Sequence, residues 1–247
     1  MKKILIFFVF IITAVFLRAQ DATEIIKKAD EKMQGSSSSA EMTMKIIRPA
    51  WERTVTFKSW GKGKDFSLTL ITYPEKEKGQ TFLKRYNDLW NWNPTIGRMI
   101  KLPPSMMSQG WMGSDYSNDE LLKESSVVVD YNHKLLGKET VTGRECYKIE
   151  LIPKDDAAVV WGKVIKWITT DGYMQMKSEY FDEDNFLVKT ESASDIKMMS
   201  DREIPTRFEI IPEDDKGNKT IVIINSIEFD IGIEDTFFSQ QNMKRVR

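Results

Sequence analysis

The chain has 247 residues, with 36 Lys or Arg against 37 Asp or Glu, one His and one Cys. A balance this close to neutral, with no basic stripe, excludes a nucleic-acid binder and disfavours a strongly anionic membrane surface. One Cys excludes an internal disulfide, and one His beside one Cys excludes a His- or Cys-built metal cluster.

Lys2 and Lys3 open the chain, an almost unbroken apolar run from Ile4 to Leu17 follows, and "RAQ" closes it. That is the layout of a secretory signal peptide, and the run is shorter than the ~18 residues a spanning helix needs. Cleavage is expected near Ala19 or Gln20, with no Cys there to carry a lipid. Residues 21–247 remain as one exported domain. Without Lys2, Lys3 and Arg18 the basic count is 33 against 37 acids, a net charge of −4. About 227 residues are enough for a core that does without disulfides.

"DATEIIKKADEKM" predicts an amphipathic helix, with Ala22, Ile25, Ile26, Ala29 and Met33 on one stripe and Asp21 as the N-cap. After "QGSSSS" the period drops to two. "EMTMKI", "RTVTF" and "DFSLTL" alternate apolar with polar residues, as strands with one buried face do. "LWNWNP" sets Trp90 and Trp92 on one face of a short strand. Beyond a double proline, Ser117 and Glu120 have capping-box spacing, which predicts a helix over 117–124. "DYNHKLLG", "ECYKIEL", "KVIKWIT", "YMQMKSEYF", "NFLVKT", "TRFEII" and "KTIVIINSIEFDI" complete about ten to eleven strands. The last alternates throughout, which predicts Ile221, Ile223, Ile227, Phe229 and Ile231 on one face. Short separators ("GKGK", "ND", "DG", "DKGN") join antiparallel neighbours. An open antiparallel sheet of this size curls, so the fold class is mainly β (α+β): a curled half-barrel with helices capping a hydrophobic cavity, a cup whose lid is residues 103–124.

Catalytic signatures are missing: no G-x-S-x-G elbow and no phosphate-cradling glycine loop. His133 reads as a partly exposed strand residue. Cys146 alternates with Lys148 and Glu150 and reads as a packed, partly exposed thiol. The chain instead concentrates apolar side chains, with 13 Met, 7 Trp and 13 Phe. Met106, Met107, Trp111 and Met112 fall in a Pro-bounded, Ser- and Gly-rich loop, where flexible thioethers suit a lid over variable apolar shapes. A gap-filling plug is the other reading of that loop. Candidate cavity and lid residues are Trp60, Phe66, Leu68, Leu70, Phe82, Trp90, Trp92, Met106, Met107, Trp111 and Met112, with no catalytic residue, metal or cofactor.

A lipid in water exposes many methylenes at about 0.8 kcal/mol each, so ten cost about 8 kcal/mol and a carrier with an apolar cup removes that cost. The expected function is a non-catalytic periplasmic carrier of acyl chains, acting as a monomer. A lipid-sensing regulator, or a carrier of another hydrophobic small molecule, would use the same cup.

"WNPTIGRMIKLPPSMMSQGWMGSDYSNDELLKESS", "LITYPEKEKGQTFLK" and "DTFFSQQNMKR" together resemble the outer-membrane lipoprotein-sorting family related to the LolA carrier. The resemblance spans essentially all of residues 21–247. It implies a half-barrel over a hydrophobic cavity and carriage of lipoproteins or other lipids to the outer membrane. The partners it implies are an inner-membrane transporter and an outer-membrane acceptor. Arg48, Arg53, Arg85 and Arg98 are candidates for the family's lid-latching arginine, and each also reads as a solvated surface charge.

Overall fold

The computed structural model describes residues 21–107, 109–118, 120, 127–155, 157 and 159–247. The leader, and residues 119 and 121–124 of the second expected helix, lie outside the described residues.

Helix α1 runs Ala22–Gln34. Asp21 caps it by accepting from the Thr23 N–H at 2.9 Å, and Gly35 ends it at φ +61°, a conformation that strains any Cβ. Its buried stripe is Ala22, Ile25, Ile26 and Ala29, with Met33 packed into the next cluster along.

Thirteen strands follow. The first six are β1 Ser37–Arg48, β2 Trp51–Lys62, β3 Phe66–Tyr73, β4 Thr81–Arg85, β5 Asp88–Asn93 and β6 Arg98–Lys101. The other seven are β7 Tyr131–Val141, β8 Arg144–Pro153, β9 Lys163–Thr169, β10 Gln175–Phe181, β11 Leu187–Met199, β12 Arg202–Pro212 and β13 Lys219–Phe229. All join one antiparallel sheet in the order β6-β5-β4-β3-β2-β1-β13-β12-β11-β10-β9-β8-β7. The sheet is curled and not closed, a mostly β half-barrel with few helices. The count of 13 exceeds the ten to eleven alternating segments because β4 and β6 do not alternate. In β4, Thr81 to Lys84 are buried on both faces, and β6 has only four residues.

Two hairpin meanders thus meet at the β1–β13 pair. β6 and β7, consecutive in the chain, lie at opposite edges, so residues 102–130 must cross the whole sheet. Register gives the face they cross. Met44 pairs with Val55 and Val222, Phe57 with Ile71, and Val222 with Phe208. Continued to β8, the same parity reaches Tyr147, Ile149 and Leu151, against which α1 packs. Helix and crossing segment therefore cover one face together.

The opposite face is covered in part by residues 230–247, whose Phe238 and Met243 bury against Leu68 and Leu83. Thr81 Oγ1 ties this tail down, donating to the Met243 carbonyl at 3.0 Å.

Two expectations about side-chain facing need correction. Ile221 and Ile223 do not share a face with Ile227 and Phe229, because the β1–β13 register slips by one residue between Glu41/Ser226 and Met42/Ile224. A bulge shifts the phase, so Ile227 joins Ala40 and Ile224 on the covered face. Ile231 lies past the strand end and is exposed. Cys146 is not partly exposed: it is fully buried on the outer face with Trp167, Met174 and Met176. Burial pushes its thiol above the ordinary range, and the thiolate is the reactive form. Ellman's reagent is therefore expected to label the native protein only as fast as it unfolds; rapid labelling without denaturant would contradict the packing.

Candidate functional site

The crossing segment is a compact loop that owes little to the sheet's strand pairing. Gly110 bridges Ser117, the Trp111 N–H donates to the Tyr116 carbonyl at 2.6 Å, and the Asn118 N–H donates to the Gln109 carbonyl at 3.0 Å. The buried Asn118 side chain closes the loop, donating to the carbonyls of Met106 at 3.0 Å and Gln109 at 3.3 Å. A Cβ on Gly110 would stand 2.4 Å from the Ser114 oxygen, so only glycine fits there. The expected capping box is present: the Ser117 N–H donates to Glu120 at 2.7 Å and the Glu120 N–H to Ser117 Oγ at 3.1 Å.

This knob carries Trp111 into the sheet. The indole is 5% exposed and meets Phe57 and Phe82 edge-on, each at 5.4 Å between ring centres. Around it lie Met44, Ile46, Val55, Ile71, Leu89 and Leu102, with Met42, Met107 and Met112 packed at the margin. Methionines therefore line both the strap and the sheet beneath it.

Polar side chains pin the strap over this apolar bed. Arg48 grips Asp115 through both guanidinium nitrogens, at 3.0 and 3.2 Å, and donates to the Gly113 carbonyl at 3.0 Å. Asp115 also accepts from Thr220 Oγ1 at 2.6 Å. Arg53 donates to the Met112 carbonyl at 2.9 Å and pairs with Glu77. Further along, the buried Lys189 donates to the Asp115 carbonyl at 2.9 Å, pairs with Glu120, and sits among the rings of Tyr116, Trp161 and Tyr180. Of the four candidate arginines, Arg48 and Arg53 hold the strap and are not solvated surface charges. Arg85 lies over Phe66 and Tyr86, and Arg98 is exposed on β6.

The sheet's parity divides the eleven candidate lining residues. Phe82, Met107, Trp111 and Met112 come together under and within the strap. Met106 is 36% exposed and points away from that cluster. Trp60, Phe66, Leu68, Trp90 and Trp92 belong to the opposite face with Phe238 and Met243. Leu70 is on that face too, paired with Thr81. A groove of about 480 Å³ along the tail, lined by Ile233, Phe237 and Arg245 among others, lies away from the strap.

His133 stands at the other end of the covered face. Its Nε2 lies 2.7 Å from the Val127 carbonyl and so carries the proton, leaving Nδ1 to accept from Thr23 Oγ1 at 3.1 Å. Burial lowers its pKa, so the neutral ring ties α1 to β7. Protonation as pH falls would place a charge in this buried site and cost stability. His133→Asn is accordingly expected to lose stability at neutral pH by about 1 kcal/mol, and by less in acid, as read from urea midpoints across pH.

A set of buried polar residues gave no motif in the sequence. Lys84, Lys166, Ser178, Lys189 and Glu191 are all buried on the covered face. Tyr116 of the strap donates to Glu191 at 3.4 Å, Gln175 bridges Glu191 to Lys166, and Asp30 of α1 feels both Lys166 and Lys84. β4 and β9 stand in opposite halves of the sheet, and Asp30 lies within electrostatic reach of a lysine from each. The available signal was phase: Lys84 follows Phe82, and Lys166 falls between Val164 and Ile168, each a charge on an apolar stripe.

An open antiparallel half-barrel, one face roofed by an N-terminal helix and a pinned strap, defines the LolA-like fold class. The chain is similar to a DUF1329 family protein from Desulfovibrio piger, with a TM-score of 0.82 and 23% identity over 90% of this chain and 97% of that one. A domain assigned to outer-membrane lipoprotein sorting from Vibrio parahaemolyticus matches with a TM-score of 0.79 and 21% identity, over 91% and 98%. A LolA superfamily protein from Nitrosomonas europaea matches with a TM-score of 0.75 and 23% identity, over 90% and 98%. At these identities the likeness is one of fold. A family model described as "Uncharacterized protein" matches residues 63–245, and the chain belongs to that family. No curated protein matches the sequence.

Proposed function

We propose that the protein is an exported, non-catalytic carrier that shields acyl chains, of lipoproteins or other lipids, on their way to the outer membrane. The observation that carries this reading is the strap: a methionine-lined loop, held by side-chain pins, closing over an apolar face of an open half-barrel. Its fold neighbours support the reading, as one is assigned to lipoprotein sorting and another to the LolA superfamily. Lifting the strap trades its contacts with Met42, Met44, Phe57 and Phe82 for contacts with cargo. Ten buried methylenes contribute about 8 kcal/mol, more than the ~3–5 kcal/mol of one detached tryptophan, so an acyl chain can drive the exchange. The periplasm is the compartment the leader implies, and an inner-membrane transporter and an outer-membrane acceptor are the partners such a carrier needs.

Native mass spectrometry of the protein from its own periplasm, followed by solvent extraction, tests this. Co-purifying lipid or acylated protein is expected, and Trp111→Asp is expected to abolish it while circular dichroism shows the sheet intact. A clean apo mass that added lipid does not change would leave the strap as a core plug and end the carrier reading.

A further inference from the structure

A container for hydrocarbon alone is best lined by apolar side chains, since buried charges give up more hydration than they regain. Yet Lys166, Ser178 and Glu191 are buried on neighbouring strands of the covered face, and Lys84 is buried on the same face of β4, with Asp30 of α1 in electrostatic reach of both lysines. Register sets Ser178 directly opposite Lys166 on one neighbour and Glu191 on the other. Lys166 donates to Gln175, which donates in turn to Glu191 at 3.1 Å, and Asp30 reaches the same place from α1, bonded to Gln34 at 2.9 Å. Ser178 supplies an independent sign: its hydroxyl is fully buried with no hydrogen-bond partner among the described residues. A hydroxyl so placed, between an ammonium and a carboxylate, is a donor waiting for an acceptor. Lys84 also adjoins the apolar bed, because Phe82 and Lys84 are successive residues on one face of β4, about 7 Å apart.

We propose that this seam is the head-group subsite of the chamber, taking the anionic end of an amphiphile on Lys84, Lys166 and Ser178 while its tail lies under the strap against Phe57 and Phe82. The inference rests on the carrier reading and narrows its cargo to single-headed amphiphiles ending in carboxylate or phosphate. Asp30 is an internal carboxyl within electrostatic reach of both lysines. An entering anion would add negative charge beside Asp30 and Glu191 and so favour the neutral Asp30 carboxyl, which takes up a proton as the head group binds. Burial already raises the Asp30 carboxyl to about 6, with Lys166 and Lys84 pulling it down and Glu31 pushing it up. Affinity for an anion therefore falls as pH rises past that value, by up to about tenfold per pH unit for one linked proton.

Calorimetric titration of the purified protein with decanesulfonate, whose charge is permanent, and with decanol, of equal chain length and no charge, tests this. Decanesulfonate is expected to bind at least about tenfold more tightly than decanol near pH 6.5, and to lose that advantage toward pH 8.5. Lys166→Gln, Lys84→Gln and Ser178→Ala should each weaken the sulfonate several-fold and leave decanol unchanged, which also shows the chamber is folded. Asp30→Asn should flatten the pH dependence. Equal binding of the two probes, or sulfonate binding indifferent to Lys166→Gln and Lys84→Gln, overturns the subsite while leaving the carrier reading in place. Failure of both probes to bind the unaltered protein removes the carrier reading and this inference with it. Decanoate and decyl phosphate, compared in the same way, then separate a fatty-acid carboxylate from a lipid phosphate.

Discussion

Trp111→Ala is expected to detach the strap, at a cost of about 3–5 kcal/mol, without unfolding the sheet. The indole is almost wholly buried and forms edge-on pairs with Phe57 and Phe82, and each such pair adds about 0.5–1.5 kcal/mol beyond buried area. Arg48, Arg53 and Lys189 would still hold the strap's far side, but they grip its backbone and Asp115, not the apolar bed. Local opening should therefore become frequent while the strand ladders persist. Chymotrypsin cleavage within the strap, at Tyr116 above all, reads that opening, and about 3 kcal/mol corresponds to roughly a hundredfold faster cleavage. Trp111→Phe is the control. Trp111 Nε1 is buried without a partner among the described residues, so phenylalanine loses indole volume but also removes a costly donor. It should lose less than about 2 kcal/mol net. Cleavage unchanged in Trp111→Ala would mean that the pins alone hold the strap, and that the apolar bed is not its anchor.

The parts of this fold that were legible in the sequence are those set by neighbours in the chain. Helix α1 announced itself by a stripe at period 3.6 and by Asp21, and the capping box of Ser117 and Glu120 by a three-residue spacing; both are local physics. Alternation likewise revealed about ten to eleven strand segments, yet it states only that residues share a face, never which face. Phe66, Leu68 and Leu70 alternate as cleanly as Met42, Met44 and Ile46, and they line the opposite side because the tail brings Phe238 and Met243 there. "DTFFSQQNM" held the clue, since so apolar a terminal segment needs a bed of its own. Where parity broke, at the bulge in β13, extrapolation along the strand failed with it. The strap's path was readable only from strand order, because no local signal tells that β6 and β7 stand at opposite edges. Its pins bring Arg48, Asp115 and Lys189 together across long stretches of chain, so Arg48 was one of four candidate latches and no local pattern marked Asp115 or Lys189.

Asp30→Asn should make the protein more stable at neutral pH, an outcome that runs against the usual loss on mutation. The folded carboxyl titrates at about 6 against a reference of 3.8, chiefly because burial disfavours the anion. Below pH 3.8 both folded and unfolded chains hold the proton, and Asp30 contributes nothing. Between the two values the unfolded chain ionises while the folded one does not, so stability falls as pH rises. Above about 6 the full penalty applies, roughly 3 kcal/mol at 1.36 kcal/mol per pH unit. Asparagine removes the charge with little change of shape, so its advantage should be absent near pH 4, grow across the interval, and level off by about pH 7 at up to 3 kcal/mol. Urea midpoints of the two proteins over that range supply the curve, and a difference flat in pH would show that Asp30 is solvated. Lys166→Met sharpens the test: without the stronger of its two lysine influences the carboxyl should titrate higher still, moving the rise in the curve to higher pH. A helix that faces an apolar sheet with a carboxylate gives up stability the fold could otherwise keep, and such positions are where binding chemistry concentrates. If the variant gains stability and loses its pH-linked hold on an anionic amphiphile, both effects follow from one proton on one oxygen.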